Sequence, residues 1–335
     1  METTIIAMPL LIALIALALA FDFLNGLHDA ANSIATVVST RLLKPVHAVL
    51  FAAFFNFAAY WIFGLKVAET IGKGIIDADI VNPQVIFGAL VGAMFWNVVT
   101  WWKGIPSSSS HALVGGLIGA GVMRAGLDGI VWSGVLKTAS AIVLSPTIGM
   151  ILSILLVVMT SWIFLRATAK RAEGVFKKLH LVSSAAYSLG HGANDAQKTM
   201  GIITVLLYSQ GMLEGEFAVP EWVVLSCYVA IALGTLSGGW KIIETMGTRI
   251  TKLSHQQGFC ASSGGSVMLF AATAFGIPVS TTHTITGCVV GVGAARRASA
   301  VRWGVAGRVV IAWLITIPAS AAVGALFYWL TTIWG

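Results

Sequence analysis

Charge is scarce in this sequence. Only 10% of its 335 residues are Asp, Glu, Lys or Arg, against 57% apolar residues and a mean hydropathy of +0.89. An ordinary soluble domain carries about a quarter charged residues, so that class is excluded. Cysteine is almost missing as well. Cys227, Cys260 and Cys288 stand in apolar contexts without CxxC spacing, and they read as small buried hydrophobes with no disulfide. No stretch shows the alternating polarity of a barrel strand, which leaves helices as the spanning element. HExxH, Walker-loop and nucleophile-elbow patterns are absent, so a membrane enzyme is the weakest reading and nothing points to ATP. The N-terminus carries Glu2 and no basic leader. Its apolar run continues straight into Asn25-Gly-Leu-His-Asp-Ala-Ala-Asn32, which predicts a retained first helix.

What the sequence does have is a series of apolar runs near the roughly 17–25 residues that cross a bilayer as a helix. The expected fold is an all-α integral membrane bundle of some ten to twelve membrane segments. The formal charge of +7 comes from basic residues in short loops, which is a topology signal and not a nucleic-acid signal.

One motif occurs twice. Gly104-Ile-Pro-Ser-Ser-Ser-Ser-His-Ala-Leu-Val-Gly115 is matched by Gly276-Ile-Pro-Val-Ser-Thr-Thr-His-Thr-Ile-Thr-Gly287. In each copy Gly and Pro halt an apolar segment, hydroxyl residues follow, and a Gly-rich helix begins. Ser and Thr are favoured N-caps, and the first turn of a helix presents unpaired N–H groups at the positive end of its dipole. Such a helix start is an anion receptor. Ser107, Ser108, Ser109, Ser110, Ser280, Thr281 and Thr282 are therefore candidates to hold a small oxyanion.

Other blocks repeat in the same order. Lys66-Val-Ala-Glu-Thr-Ile-Gly72 resembles Lys241-Ile-Ile-Glu-Thr-Met-Gly247, Asp29 matches Asp195, and Pro146 matches Pro318. This is a tandem duplication. The expected division is a first membrane repeat over 1–166, a basic linker over 167–182 and a second repeat over 183–335. The basic run from Arg166 to His180 belongs in the cytoplasm, and the loop with Glu214, Glu216 and Glu221 belongs outside. Equivalent loops of the two halves differ in sign, which predicts inverted topology with both termini outside. Two re-entrant hairpins, over 90–122 and 262–294, then enter from opposite faces and meet at their hydroxyl tips. The alternative is two ordinary helix pairs, each joined by a surface loop at Pro. The first segment, 5–40, is expected to break near Asn25-Gly26, and its counterpart, 183–208, near Gly190-His-Gly192. Pro146 and Pro318 read as helix kinks.

Asp22, Asp29, Asp195 and Lys198 lie inside apolar segments. At a bilayer centre each costs about 2.5–3.5 kcal/mol, so four uncompensated groups would cost on the order of 10–14 kcal/mol. That rivals the stability of a whole protein, so they must pair, bind ions or line water. Asp29 with Asn32, and Asn194 with Asp195, offer oxygen ligands for a coupling cation, with Asp22 and Asn25 as further candidates. Carboxylates repel an oxyanion, so the anion is assigned to the hydroxyls. His28, His191, His111 and His283 are candidate proton relays, with buried histidines in satisfied positions as the alternative. Trp96 to Trp102 and Tyr328 to Trp334 read as interfacial belts. The Gly115/Gly119 and Gly287/Gly291 pairs read as close packing within the protomer.

Together, Gly26-Leu-His-Asp-Ala-Ala-Asn32, Gly192-Ala-Asn-Asp-Ala-Gln-Lys198 and the two hydroxyl tips resemble the repeated GANDVANxxG signature and tips of the inorganic phosphate transporter (PiT) family. The likeness spans nearly the whole chain. It implies a secondary importer of inorganic phosphate, driven by protons or sodium through alternating access, with no fixed cofactor and as a homodimer in a cell membrane. It also implies that a neutral complex of phosphate with Mg2+ or another divalent metal is a possible cargo. Three departures stand out: His28 and Lys198 where the signature has Asn, and Asn56 where sodium-coupled eukaryotic relatives have Glu. Lys198 is a candidate either for the phosphate itself or for a fixed cation beside Asp195. A sulfate carrier of the same fold, and an anion channel, are the competing readings.

Overall fold

The computed structural model describes residues 5–213, 215 and 217–334. Glu2, Glu214 and Glu216 lie outside the described residues. Among the described residues twelve α-helices dominate, six in each half. The first half holds α1 (Met8–Ser39), α2 (Pro45–Ala58), α3 (Lys66–Gly74), α4 (Pro83–Lys103), α5 (Ser109–Ala125) and α6 (Trp132–Ile163). The second holds α7 (Ala169–Ser209), α8 (Glu221–Ser237), α9 (Trp240–Glu244), α10 (His255–Ala274), α11 (Thr281–Arg296) and α12 (Trp303–Trp334). Among the described residues, α1, α4, α6 and α12 are long and apolar enough to cross a membrane alone.

Local sequence explains where the helices start and stop. Pro sits at the start of α2 and α4, where its missing N–H costs nothing. The Asn82 side chain caps α4 by accepting from the Val85 N–H at 2.8 Å, and Ser254 and Gln257 form a reciprocal capping box on α10. α4 and α10 stop at the two repeated Gly-Ile-Pro elbows. Gly104 and Gly276 both adopt φ of 64°, a left-handed conformation that an L side chain resists.

Two breaks expected from sequence are not there. α1 runs unbroken through Asn25-Gly26, and α7 runs unbroken through Gly190-His-Gly192 and also takes in residues 169–182. The glycines serve close approach instead. A Cβ on Gly26 would collide with the Ile231 carbonyl of α8, and one on Gly192 with the Asn56 backbone of α2. The real bends fall elsewhere, at 85° between the α2 segment and α3, and at 68° between α8 and the α9 segment.

Apolar side chains gather in two cores. One takes Leu11 to Phe21 of α1 and Ala193 to Leu207 of α7, and the other takes Ala31 to Val37 of α1 and Tyr187 of α7. α1 and α7 therefore traverse the two cores in opposite directions, and their charged residues lie near the passage from one core to the other.

Packing crosses between the halves in matched pairs: α1 on α8 and α7 on α2, α5 on α12 and α11 on α6. The small-residue pairs make this possible. Gly115 and Gly119 lie against the Ile317 and Ala321 carbonyls of α12, and Gly287 and Gly291 against those of Pro146 and Met150 of α6. Pro146 and Pro318 both lie inside unbroken helices. Trp102 and Trp329 face outward, whereas Trp96 turns in and donates to the Thr316 hydroxyl at 3.0 Å.

Candidate functional site

The two hydroxyl tips meet. Ser108 and Ser280 are the N-caps of α5 and α11, and their hydroxyls accept from the N–H of His111 and His283 at 3.2 Å in each case. The Ser110 hydroxyl reaches the Val279 carbonyl of the opposite tip at 3.5 Å, and the His111 and His283 rings lie 4.7 Å apart. Every residue of both tips from Ser107 to His111 and from Ser280 to His283 is at most 4% exposed. A surface-loop arrangement is thereby excluded for these residues.

α1 and α7 bring the charged groups. Asp22, Asn25, Asp29 and Asn32 recur at three- and four-residue spacing and so share a helix face, as do His191, Asp195 and Lys198. Asp29 lies 2.9 Å from His28 Nδ1 and receives the hydroxyls of Ser109 at 3.0 Å and Thr282 at 3.2 Å. Asp195 is ion-paired to Lys198, with His191 Nε2 at 3.2 Å. The Thr281 hydroxyl sits between the two carboxylates, 3.1 Å from Asp195 Oδ2 and 3.4 Å from Asp29 Oδ2. Ligand atoms of Asp29, His191 and Asp195 lie within 4.8 Å of one another, a spacing that suits a small cation.

Lys198 links charge to tips. Its ammonium donates to Asp195, to the Ser110 hydroxyl and to the Val279 carbonyl. Its equivalent in the first half, Asn32, donates to Thr281 at 3.2 Å and Thr282 at 2.9 Å.

The remaining candidates brace the site. His28 Nε2 is 3.1 Å from the Thr100 hydroxyl and 3.5 Å from that of Ser107, which ties down the first elbow. Asn194 does the same for the second elbow, donating to Thr273 at 3.2 Å and the Ile277 carbonyl at 3.3 Å and accepting from the Val279 N–H. Its amide is thus engaged on the elbow and not on Asp195. Asn25 accepts from Ser109. Asp22 accepts from Thr199 at 2.9 Å through Oδ1, while its buried Oδ2 has no partner.

Supporting residues include Tyr187 and Gln197, which carried no distinctive sequence signal, and Asn56, which stood out only as a departure from the family pattern. Tyr187 donates to the Thr281 carbonyl at 2.8 Å, and Asn56 joins His191 Nδ1 at 3.1 Å to Thr235 at 2.9 Å. Gln197 accepts from the first N–H groups of α3 and donates to Gly64, pinning that bent segment to α7. Tyr187, His191 and Asp195 follow one another at four-residue steps, so the buried face of α7 was the available clue.

Helices long and apolar enough to cross a membrane, enclosing paired carboxylates beside two hydroxyl-capped helix starts, define a polytopic membrane protein with a buried polar centre. The chain belongs to the phosphate transporter family, whose family model matches residues 25–324. It is similar to a probable low-affinity inorganic phosphate transporter of Rhizobium meliloti (strain 1021), with 65% identity over 328 residues covering 98% of each chain. A protein of the same description from Bacillus subtilis (strain 168) is 43% identical over 97% of this chain and 98% of its own. The fold matches a solved structure described as "The sodium-dependent phosphate transporter", with a TM-score of 0.86 at 28% identity, covering 97% of this chain and all of the other.

Proposed function

We propose that this protein imports inorganic phosphate across the cell membrane by alternating access, with the basic start of α7 in the cytoplasm and both termini outside. The inverted repeat and a homodimeric assembly belong to the same reading. The observation that carries it is the Thr281 hydroxyl held between Asp29 and Asp195 at the point where the two tips meet.

That arrangement suggests an order of events. The hydroxyls of Ser109, Thr281 and Thr282 all point at carboxylates, so they are unavailable to an oxyanion. A cation on Asp29 and Asp195 weakens those bonds and cancels the repulsion that phosphate would meet. The hydroxyls and the first-turn N–H groups of α5 and α11 then turn to the anion. Cation binding precedes phosphate binding, and the tips part to admit and release both.

Lys198 stands as a fixed cation beside Asp195, which leaves less room for a metal ion and favours protons as the driving species. Sodium is the second reading, favoured by the Asp29, His191 and Asp195 cluster and by the description of the solved relative. Phosphate uptake into proteoliposomes under separately imposed proton, sodium and magnesium gradients, with sulfate as competitor, decides between them. Uptake that follows sodium and ignores pH rejects proton drive, and transport of sulfate equal to that of phosphate rejects the assigned substrate. Uptake that requires magnesium makes the neutral metal–phosphate complex the cargo, and flux that never exceeds equilibrium makes the protein a channel.

A further inference from the structure

A solvent-facing cavity of about 320 Å³ lies at the far end of α11 from the tips. It is lined by Lys252, Arg296, Arg297 and Arg302, with Thr251 and Ser299 beside them. The cations come from two separate chain segments, the turn before α10 and the stretch from the last residue of α11 to the start of α12. Two bonds join these segments: Arg302 N–H to the Ile250 carbonyl at 2.9 Å, and the Thr251 hydroxyl to the Ala300 carbonyl at 3.1 Å. Among the described residues none of the four cations has a carboxylate within ion-pair distance.

The fold itself does not require this concentration of charge. The equivalent turn of the first half has the same construction, with Val131 N–H on the Ile75 carbonyl at 3.1 Å and Asp77 N–H on the Gly129 carbonyl at 3.0 Å. There the exposed side chains include Asp77, Asp79 and Asp128. A loop bias for positive charge needs basic residues only near the membrane surface, whereas here four of them converge on one concavity and repel one another. Trp303, exposed beside the cluster, donates to the Ala298 carbonyl at 3.0 Å and sets an aromatic ring at the same level.

We propose that this cavity binds a ligand with two or more phosphate groups close together, either the headgroup of a diphosphatidyl lipid or a soluble polyphosphate. Arginine forks match phosphate oxygens in pairs, and basic pockets at membrane level suit such headgroups. The site also has a mechanical link to the transport centre. Gln257 donates to the Val292 carbonyl at 3.0 Å, and a Cβ on Gly293 would collide with Val301 at 2.9 Å and press on Thr251 at 3.1 Å. The cavity therefore grips the last turn of α11, the helix whose first turn forms the second tip roughly 24 Å away at 1.5 Å per residue.

The test uses the full-length protein in a neutral detergent with saturating orthophosphate, so that the transport site is already filled. Binding of inorganic tripolyphosphate is followed by titration calorimetry, and retained cardiolipin by native mass spectrometry. The variants are K252Q/R296Q and R297Q/R302Q, with K170Q/R171Q as a control that removes two exposed cations from α7. Loss of tripolyphosphate affinity by at least about tenfold in the cavity pairs alone assigns a soluble ligand. Loss of retained lipid in the cavity pairs alone assigns the headgroup. Binding of neither by the parent protein, or equal losses in the control, overturns the site.

Discussion

His111 and His283 occupy matching first-turn positions on helices from opposite halves, and their rings lie 4.7 Å apart at 58°. His283 also stacks on Trp313 at 3.8 Å and 26°. The four ring nitrogens are buried and lack hydrogen-bond partners. Here the rings act as packing that joins the tips, and buried polar atoms without partners cost stability that an apolar isostere recovers. His283→Phe is expected to keep uptake within about twofold of the parent and to raise the unfolding temperature. His283→Ala, which opens a gap beside Trp313, should destabilise by about 2–4 kcal/mol. Thermal unfolding in detergent and uptake in liposomes read both outcomes, and a His283→Phe protein that folds but transports nothing would restore the ring nitrogens to the mechanism.

Thr281→Val keeps the shape of the second tip and removes the hydroxyl between Asp29 and Asp195. Leaving buried groups unsatisfied costs about 1–3 kcal/mol, which corresponds to roughly 5–150-fold. Uptake should fall by that range while the protein still folds. The fall should appear in the cation dependence as well as in the phosphate dependence, because the same hydroxyl faces both.

Lys198→Asn restores the residue type of the family signature and withdraws the ammonium from Asp195. On the proposal that the Lys198 ammonium takes the place of a mobile cation, the variant is expected to gain sodium-stimulated uptake, measured with an imposed sodium gradient. A variant that only loses phosphate affinity, with its driving ion unchanged, would instead place the ammonium on the phosphate. Lys198→Met should be much worse, since removing one partner of a buried ion pair costs about 3–5 kcal/mol.

Gly276→Ala tests the elbow. A left-handed backbone costs an L residue about 1–2 kcal/mol, and the new Cβ would press on Lys66 at 3.1 Å. Gly104→Ala should behave alike, since its Cβ would meet Lys241 at 3.0 Å. Both are read as a fall in unfolding temperature, and neither should change which ion drives transport.

Much of this site was legible because its residues violate the rules of their surroundings. A carboxylate in an apolar run, or a hydroxyl cluster after Gly-Ile-Pro, has few cheap explanations, so Asp29, Asp195, Lys198 and both tips stood out. The duplication then indicated that they converge. The helix breaks were misplaced because glycine has two meanings in such a sequence. At Gly104 and Gly276 it permits a positive φ, but at Gly26 and Gly192 it lets another backbone come close inside an intact helix, and only the neighbour tells the two apart. Tyr187 and Gln197 stayed hidden because their partners are backbone groups far away in the chain.

The exchanged packing of α6 on α11 and of α12 on α5 has a consequence for biogenesis. The first tip can brace on α4 as soon as that helix is made, but it lacks its α12 wall until the final helix leaves the ribosome, so the first half stays incompletely packed during insertion. Expressed separately, either half should be a proteolysis substrate, and only co-expression of the two would rebuild the protein, much as a dimer forms from its subunits.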